Sequence, residues 1–174
     1  IKDLAGNPCK AVVITVEGDE WVDTIDRSAK IEKEIKLEAK EIIEKIKECG
    51  VVGLGGATFP TNVKLSPPPG KKAEFLIING AECEPYLTSD YRVLIEMPEQ
   101  VLIGAAIMMK ALNVTKGFIG IEENKPEAIK VMQQKAKEYP QIEIVTLKKK
   151  YPQGGEKQLI DAVVGRQVPS MGLP

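Results

Sequence analysis

The chain has 174 residues, 43% of them hydrophobic and 28% charged, with a net charge of −1. That length suits one domain of ordinary size, and the near-zero charge excludes the electrostatic footprint of a nucleic-acid or anionic-membrane binder. No apolar run approaches the roughly 20 residues that cross a bilayer.

In chain order, "CKAVVITVEG" (Cys9–Gly18) is valine-rich, alternates weakly and predicts a strand ending in a turn. Ser28–Glu48 contains neither Gly nor Pro, and Ile31, Ile35, Ile42, Ile43 and Ile46 recur at helical spacing. A helix is expected there, firm from about Leu37, with Gly50 where a terminating glycine belongs. The glycine-rich "GVVGLGGATFPT" (Gly50–Thr61) and the proline-rich "NVKLSPPPGKK" follow as loops. "AEFLIIN" (Ala73–Asn79) predicts a strand buried on both faces. "GAECEPYLTSDYR" reads as a polar loop, and Pro98–Leu112 as a helix with Pro at its start.

"KGFIGIE" (Lys116–Glu122) is the next strand. Asn124 with Glu127 makes a capping-box pattern, with Pro126 in the first turn of a helix running to about Glu138. "QIEIVTL" (Gln141–Leu147) is a strand, "YPQGG" breaks the chain, and "EKQLIDAVVG" is a last helix ending at Gly165. From Leu37 onward this alternation predicts a three-layer α/β domain with a mainly parallel sheet. Ligands of such folds lie beyond the carboxyl ends of the strands, here the segments "NGAECEP", "IEEN" and "KKKYPQGGE". The chain opens on Ile1 and closes on "VPSMGLP"; both ends read as cut, and a piece of a longer protein is expected.

Histidine is absent, which removes Ser-His and Cys-His nucleophile pairs and nearly every zinc site. Cys9, Cys49 and Cys83 are widely spaced and form no C-x-x-C pair, so neither a disulfide framework nor a metal site is expected within this segment. The glycine segment is not a Walker A loop, because no Gly-Lys-Ser/Thr occurs. It also misses the dinucleotide fingerprint, since Gly53-Leu54-Gly55 meets Thr58 at the third glycine position and the segment follows a helix. On spacing alone, a structural loop and a ligand loop both stand. Glycine admits backbone N–H groups close to a ligand, Leu54 and Phe59 offer apolar surface to a flat ring, and Lys64 offers a cation. Asn79, Glu82 and Glu84 crowd the end of the first buried strand, and Tyr151, Gly154 and Glu156 the end of the last. Their alternative readings are a solvated acidic loop and a turn with dipole-complementing charge.

Taken together and in this order, "GVVGLGGATFPTNVKL", "NGAECEPYLTSDYR", "IEENKPEAI" and "YPQGGEKQL" resemble the RnfC family of the Rnf electron-transport complex, from about Glu38 to Pro174. More distantly the segment is similar to the NADH-binding flavoprotein subunit of respiratory complex I, whose G-R-G-G-A-G-F-P-T-G-L-K-W and N-A-D-E-x-E-P loops hold FMN. The resemblance implies a Rossmann-like FMN- and NADH-binding domain over residues 21–174, with residues 1–20 the end of a preceding barrel-like domain or an edge strand. It implies that Gly53, Gly55 and Gly56 put backbone against the flavin and that Lys64 lies near its ribityl-phosphate. Asn79 and Glu82 would bond the flavin edge or ribityl chain. Glu84 and Glu156 match carboxylates on the NADH side, with Tyr151 and Gly154 closing the far wall and Phe59 on the nucleotide side. No side chain is required as an acid or base.

This chain departs from complex I at Leu54, Ala81 and Leu65, where that flavoprotein has arginine, aspartate and tryptophan. Thr58 and Met171 stand where related chains carry glycine. The family further implies a ferredoxin-like domain with two [4Fe–4S] clusters outside this segment and other membrane subunits as partners. It implies exchange with NADH and ferredoxin, and a peripheral place on the cytoplasmic face of the bacterial membrane. Two other uses of such a chain stay open: a corrin reductase or electron donor to an amino-acid reductase, and a non-catalytic docking domain without cofactor.

Overall fold

The computed structural model describes residues 7–8, 10–28, 30–54 and 57–172. The chain forms two compact units, Ile1–Ile31 and Glu32–Pro174, whereas the expected boundary followed residue 20. In the first unit, described residues 10–18 form no regular strand, and Val12, Val13, Ile14 and Val16 are exposed. The strand expected over Cys9–Gly18 is therefore not formed in its described part, and Cys9 lies outside the described residues. Alternation alone does not make a strand; a ladder partner is needed to bond its backbone.

The second unit begins with helix α1 (Ala39–Glu48), which buries Ile42. Gly50 ends it at φ +63°, with its N–H on the Lys47 carbonyl at 3.0 Å and the Val51 N–H on Ile46 at 3.1 Å. This is the paired bonding of a left-handed glycine terminator. A short helix α2 (Thr61–Lys64) follows, then strand β1 (Leu76–Gly80), helices α3 (Ser89–Glu96) and α4 (Pro98–Leu112), strand β2 (Gly117–Glu122), helix α5 (Pro126–Lys135) with a 3₁₀ turn Ala136–Glu138, strand β3 (Ile142–Leu147) and helix α6 (Glu156–Val164). The expected domain is present, with α2 and α3 added.

The sheet has order β1-β2-β3 and both pairings are parallel. Its register aligns Asn79, Gly120 and Val145, so the three strands end nearly level. One face packs on α3, α4 and α5 through Leu76, Ile119, Ile121 and Ile142 against Leu94, Leu102, Ala105, Met109, Ala128 and Met132. Helix α1 covers the outer side of α4 through Ile42, Leu65 and Ala111 with Ile35, Ile43, Ile46 and Ile107. Burial from two sides explains why α4 is apolar all round rather than on one stripe. Helix α6 covers the opposite sheet face. A Cβ on Gly120 would lie 2.8 Å from Leu147 Cδ1 and 3.1 Å from Leu159 Cδ1, so glycine there lets α6 seat on β2.

One local expectation is corrected. The N-terminal boundary residue of α5 is Lys125, no side chain caps it, and Asn124 and Glu127 do not form a capping box. The Glu127 carboxylate instead accepts a bond from the Tyr91 hydroxyl at 3.0 Å.

Candidate functional site

The glycine segment is a loop with a bonded neck. Gly53 donates to the Phe59 carbonyl at 2.8 Å, Thr61 to Val51 at 3.1 Å, and Val52 bridges Pro60 in antiparallel fashion. At the loop tip Leu54 is 95% exposed, and Phe59 is half exposed. Gly55 and Gly56 lie outside the described residues. Gly53 has ordinary φ, and a Cβ there would meet nothing closer than the Phe59 carbonyl at 3.6 Å. Among the described residues, neither a positive φ nor a close packing contact demands glycine at that position. Thr58 adopts φ 54° and Met171 φ 61°. Both positions, where the family resemblance led to glycine being expected, thus lie in the left-handed region that glycine favours.

The neck leads into α2, whose Lys64 reaches the first residue of α6: Nζ lies 2.9 Å from Glu156 Oε1, both side chains largely exposed. The loop after β3 turns back toward the loop after β1. Asn79 donates from Nδ2 to the Gly154 carbonyl at 2.8 Å and accepts the Ala81 N–H at 3.2 Å. The Gly154 N–H donates to Cys83 Sγ at 3.0 Å. A Cβ on Gly154 would press on that sulfur at 3.1 Å and on the Ala81 carbonyl at 3.2 Å, so any side chain here must push its neighbours by a few tenths of an ångström. Beside it Gln153 is buried, and among the described residues its Oε1 has no hydrogen-bond partner. Tyr151 and Glu84 are exposed.

Glu82 is bonded within the chain. Its carboxylate accepts the N–H groups of Asp90 at 2.8 Å and Tyr91 at 3.2 Å, the second and third residues of α3. Lys125 Nζ completes its shell at 3.4 Å, with the two side chains only 5% and 16% exposed. A carboxylate on a helix amino end satisfies orphan donors and complements the dipole. Lys125 also lies over the Tyr91 ring, 5.0 Å from its centroid.

Reading for exposed carboxylates missed Glu122. It ends β2, the central strand, and is 3% exposed. Burial pushes its carboxyl above the ordinary glutamate value of 4.5, while Lys125, the Glu82 backbone N–H and Lys149 pull it back, and the Glu82 charge adds a small upward push. Burial also raises Asp90, assisted by Glu82. Glu123, next along, accepts the Lys149 N–H at 3.1 Å, which ties the loop after β2 to the loop after β3. The structure thus joins Asn79 to Gly154 and Lys64 to Glu156, and it groups Glu82 with Glu122 through Lys125. Among the described residues no cluster of His, Cys, Asp and Glu could hold a metal ion, and no helix is long and apolar enough to cross a membrane.

Residues 46–174 match the sequence profile of the Nuo51 FMN-binding domain. The chain belongs to that family. It is 53% identical over 167 residues to a component of the proton-translocating ferredoxin:NAD(+) oxidoreductase complex of Clostridium ljungdahlii, covering 95% of the chain and 36% of the relative. It is 46% identical over 171 residues to the corresponding component of the Na(+)-translocating ferredoxin:NAD(+) oxidoreductase complex of Acetobacterium woodii, covering 98% and 38%. The chain therefore spans little more than a third of these relatives. Among solved structures, an NAD+-reducing [NiFe]-hydrogenase in the air-oxidised state shares the fold at a TM-score of 0.63 and 24% identity, over 74% of this chain and 24% of that one. The Nuo51 FMN-binding domain fold is thus the parallel α/β arrangement expected from the alternation of elements.

Proposed function

We propose that this domain binds FMN and NAD(H) and forms the nicotinamide end of an ion-translocating ferredoxin:NAD oxidoreductase complex. The observation that carries the reading is the joining of separate loops at the carboxyl edge of a parallel sheet by Asn79–Gly154 and Lys64–Glu156, within a chain of the Nuo51 FMN-binding family. The residues suit the flavin. Gly53 leaves backbone accessible, Leu54 and Phe59 flank it with apolar surface, and Lys64 supplies a cation for the phosphate or ribityl chain. Gly55 and Gly56, which lie outside the described residues, are assigned to the flavin by the family resemblance alone. The unpartnered Gln153 Oε1 is an acceptor suited to a donor such as a ribityl hydroxyl.

Asn79 serves the flavin edge through the loop it ties to Gly154, and Glu82 through the amino end of α3. Glu84, Glu156 and Phe59 serve the nicotinamide nucleotide, and Tyr151 and Gly154 close the far wall. Bound FMN supplies hydride acceptance and single-electron release, and the protein supplies binding and orientation. On this reading the full protein would carry two [4Fe–4S] clusters as the next electron acceptors, with the other membrane subunits and ferredoxin as partners and the domain peripheral on the cytoplasmic face.

The test is a titration of the full-length protein with FMN, followed anaerobically by NADH. Bound flavin that bleaches on adding NADH is expected. Lys64→Met should weaken FMN binding by about tenfold, the loss of one charge-assisted contact. Failure of the full-length protein to bind FMN would end this reading.

A further inference from the structure

The turn in the loop after β1 holds a residue that its own geometry does not favour. The Leu87 N–H donates to the Glu84 carbonyl at 3.3 Å, which closes the turn Glu84-Pro85-Tyr86-Leu87. Proline at the second position holds φ at about −65°, and Tyr86 at the third has φ 66°. This is the pattern of a type II turn, whose third position takes glycine or asparagine. A bulky side chain there is crowded by the backbone. Asn113 shares the conformation, but it terminates α4 and is of a type that tolerates it. Tyr86 terminates no helix, and its side chain is fully exposed, so no packing among the described residues offsets the cost.

The turn is fastened within the candidate site. Glu82 accepts the Asp90 N–H at 2.8 Å, which ties one end of segment 82–90 to the other. Cys83 Sγ takes the Gly154 N–H at 3.0 Å, which ties the segment to the loop after β3, where Tyr151 is also exposed. A strained residue kept against the preference of its own turn is characteristic of ligand clamps. An aromatic ring on a fastened turn offers a stacking face at low ordering cost. We propose that Tyr86 is a ring-stacking residue for the nicotinamide dinucleotide and covers one heteroaromatic ring of the bound ligand. The inference rests on the nucleotide reading of this site and deepens it. An exposed ring on a turn meets what enters and leaves, whereas a resident flavin lies against the loops that Asn79 and Gly154 join. Adenine and nicotinamide both present a flat π face, and an aromatic side chain stacks on either.

Tyr86→Gly removes the ring and supplies the residue that the turn favours. Tyr86→Phe keeps the ring and removes the hydroxyl. Loss of one aromatic stack weakens binding by about tenfold. Relief of the left-handed conformation, less the freedom glycine gains in the unfolded chain, raises the folding constant by about threefold. A tyrosine that served the fold would instead lower the folding constant when removed. Gain of stability together with loss of affinity is therefore the signature of a ring kept for a ligand.

The experiment compares full-length wild type, Tyr86→Gly and Tyr86→Phe in FMN uptake, in KM for NADH, in denaturant unfolding, and in calorimetric binding of two fragments. ADP-ribose carries adenine without nicotinamide, and nicotinamide mononucleotide carries the reverse. Tyr86→Gly should raise KM for NADH about tenfold and weaken one fragment by about the same factor while leaving the other. The fragment that weakens names the ring. Tyr86→Phe should track wild type in every reading, and Tyr86→Gly should be the more stable protein. Unchanged affinity for NADH in Tyr86→Gly, an equal loss in Tyr86→Phe, or an equal loss of both fragments overturns the proposal. A fall in stability or in FMN uptake of Tyr86→Gly does so too, because the ring then serves the fold or the flavin. A wild-type protein that takes up no FMN sinks the flavin reading above, while the fragments still decide Tyr86. A wild type that takes up FMN and binds neither fragment overturns the stacking role alone.

Discussion

Asn79→Ala should loosen the site before it loosens the fold. The Asn79 side chain makes two bonds, one to the Gly154 carbonyl and one from the Ala81 N–H. Each contributes about 1 kcal/mol net, so their joint loss is about 2 kcal/mol, or about 30-fold in the equilibrium that lets the loop after β3 swing away. Amide hydrogen exchange of the full-length protein without flavin is the suitable assay. Protection at Ala81 and Gly154 should fall by about that factor, while β2 and α4 amides keep theirs, because the loop opens below the global transition. Asn79→Asp refines the test: it retains the acceptor for Ala81 and loses the donor to Gly154, so Gly154 should lose protection while Ala81 keeps most of its own. Unchanged protection at Gly154 in both variants would refute the idea that Asn79 ties the loops. A uniform loss across the sheet would do the same.

Thr58→Gly should raise the denaturant midpoint by the equivalent of about 0.5–1 kcal/mol. It relieves roughly 1–2 kcal/mol of left-handed strain, less glycine's entropy in the unfolded chain. Leu102→Ala, at a side chain with no exposed surface, should lower stability by about 3 kcal/mol in denaturant titration. Glu122→Gln should remove a pH-dependent weakness. The folded acid titrates above its unfolded value of 4.5, so wild-type stability from this group is full below that value and declines as pH rises through the raised one. The amide variant should therefore gain on wild type as thermal unfolding is moved from pH 5 to pH 7.

The sequence was most legible where the signal is local. Pro98 and a proline-free apolar run delimit α4, and its structural bounds are those expected. The runs "AEFLIIN", "KGFIGIE" and "QIEIVTL" became β1, β2 and β3 with no end moved by more than three residues. Gly50 and Gly165 terminate helices in the left-handed conformation, as their positions suggested. Helix α3 stayed hidden in "TSDYRVLIE" because the carboxylate on its amino end comes from Glu82, outside the helix, and not from the boundary residue Thr88. The burial of Glu122 follows from sheet order, since an acid at the end of a central strand looks like any other acid in sequence. Lys125 escaped notice for the same reason: its partner lies 43 residues back across a strand and two helices. The expected strand over Cys9–Gly18 failed because alternation says nothing about a partner.

Beyond β3 the chain first bonds the segment after β2 through Lys149 and Glu123, and then at Gly154 reaches past it to β1 and the loop that follows it. The loops after β1 and β3 behave as a vault over the tip of the centre strand, with Glu122 as the paving beneath. An opening of the vault would return water to that carboxyl and relax its acidity toward the ordinary value.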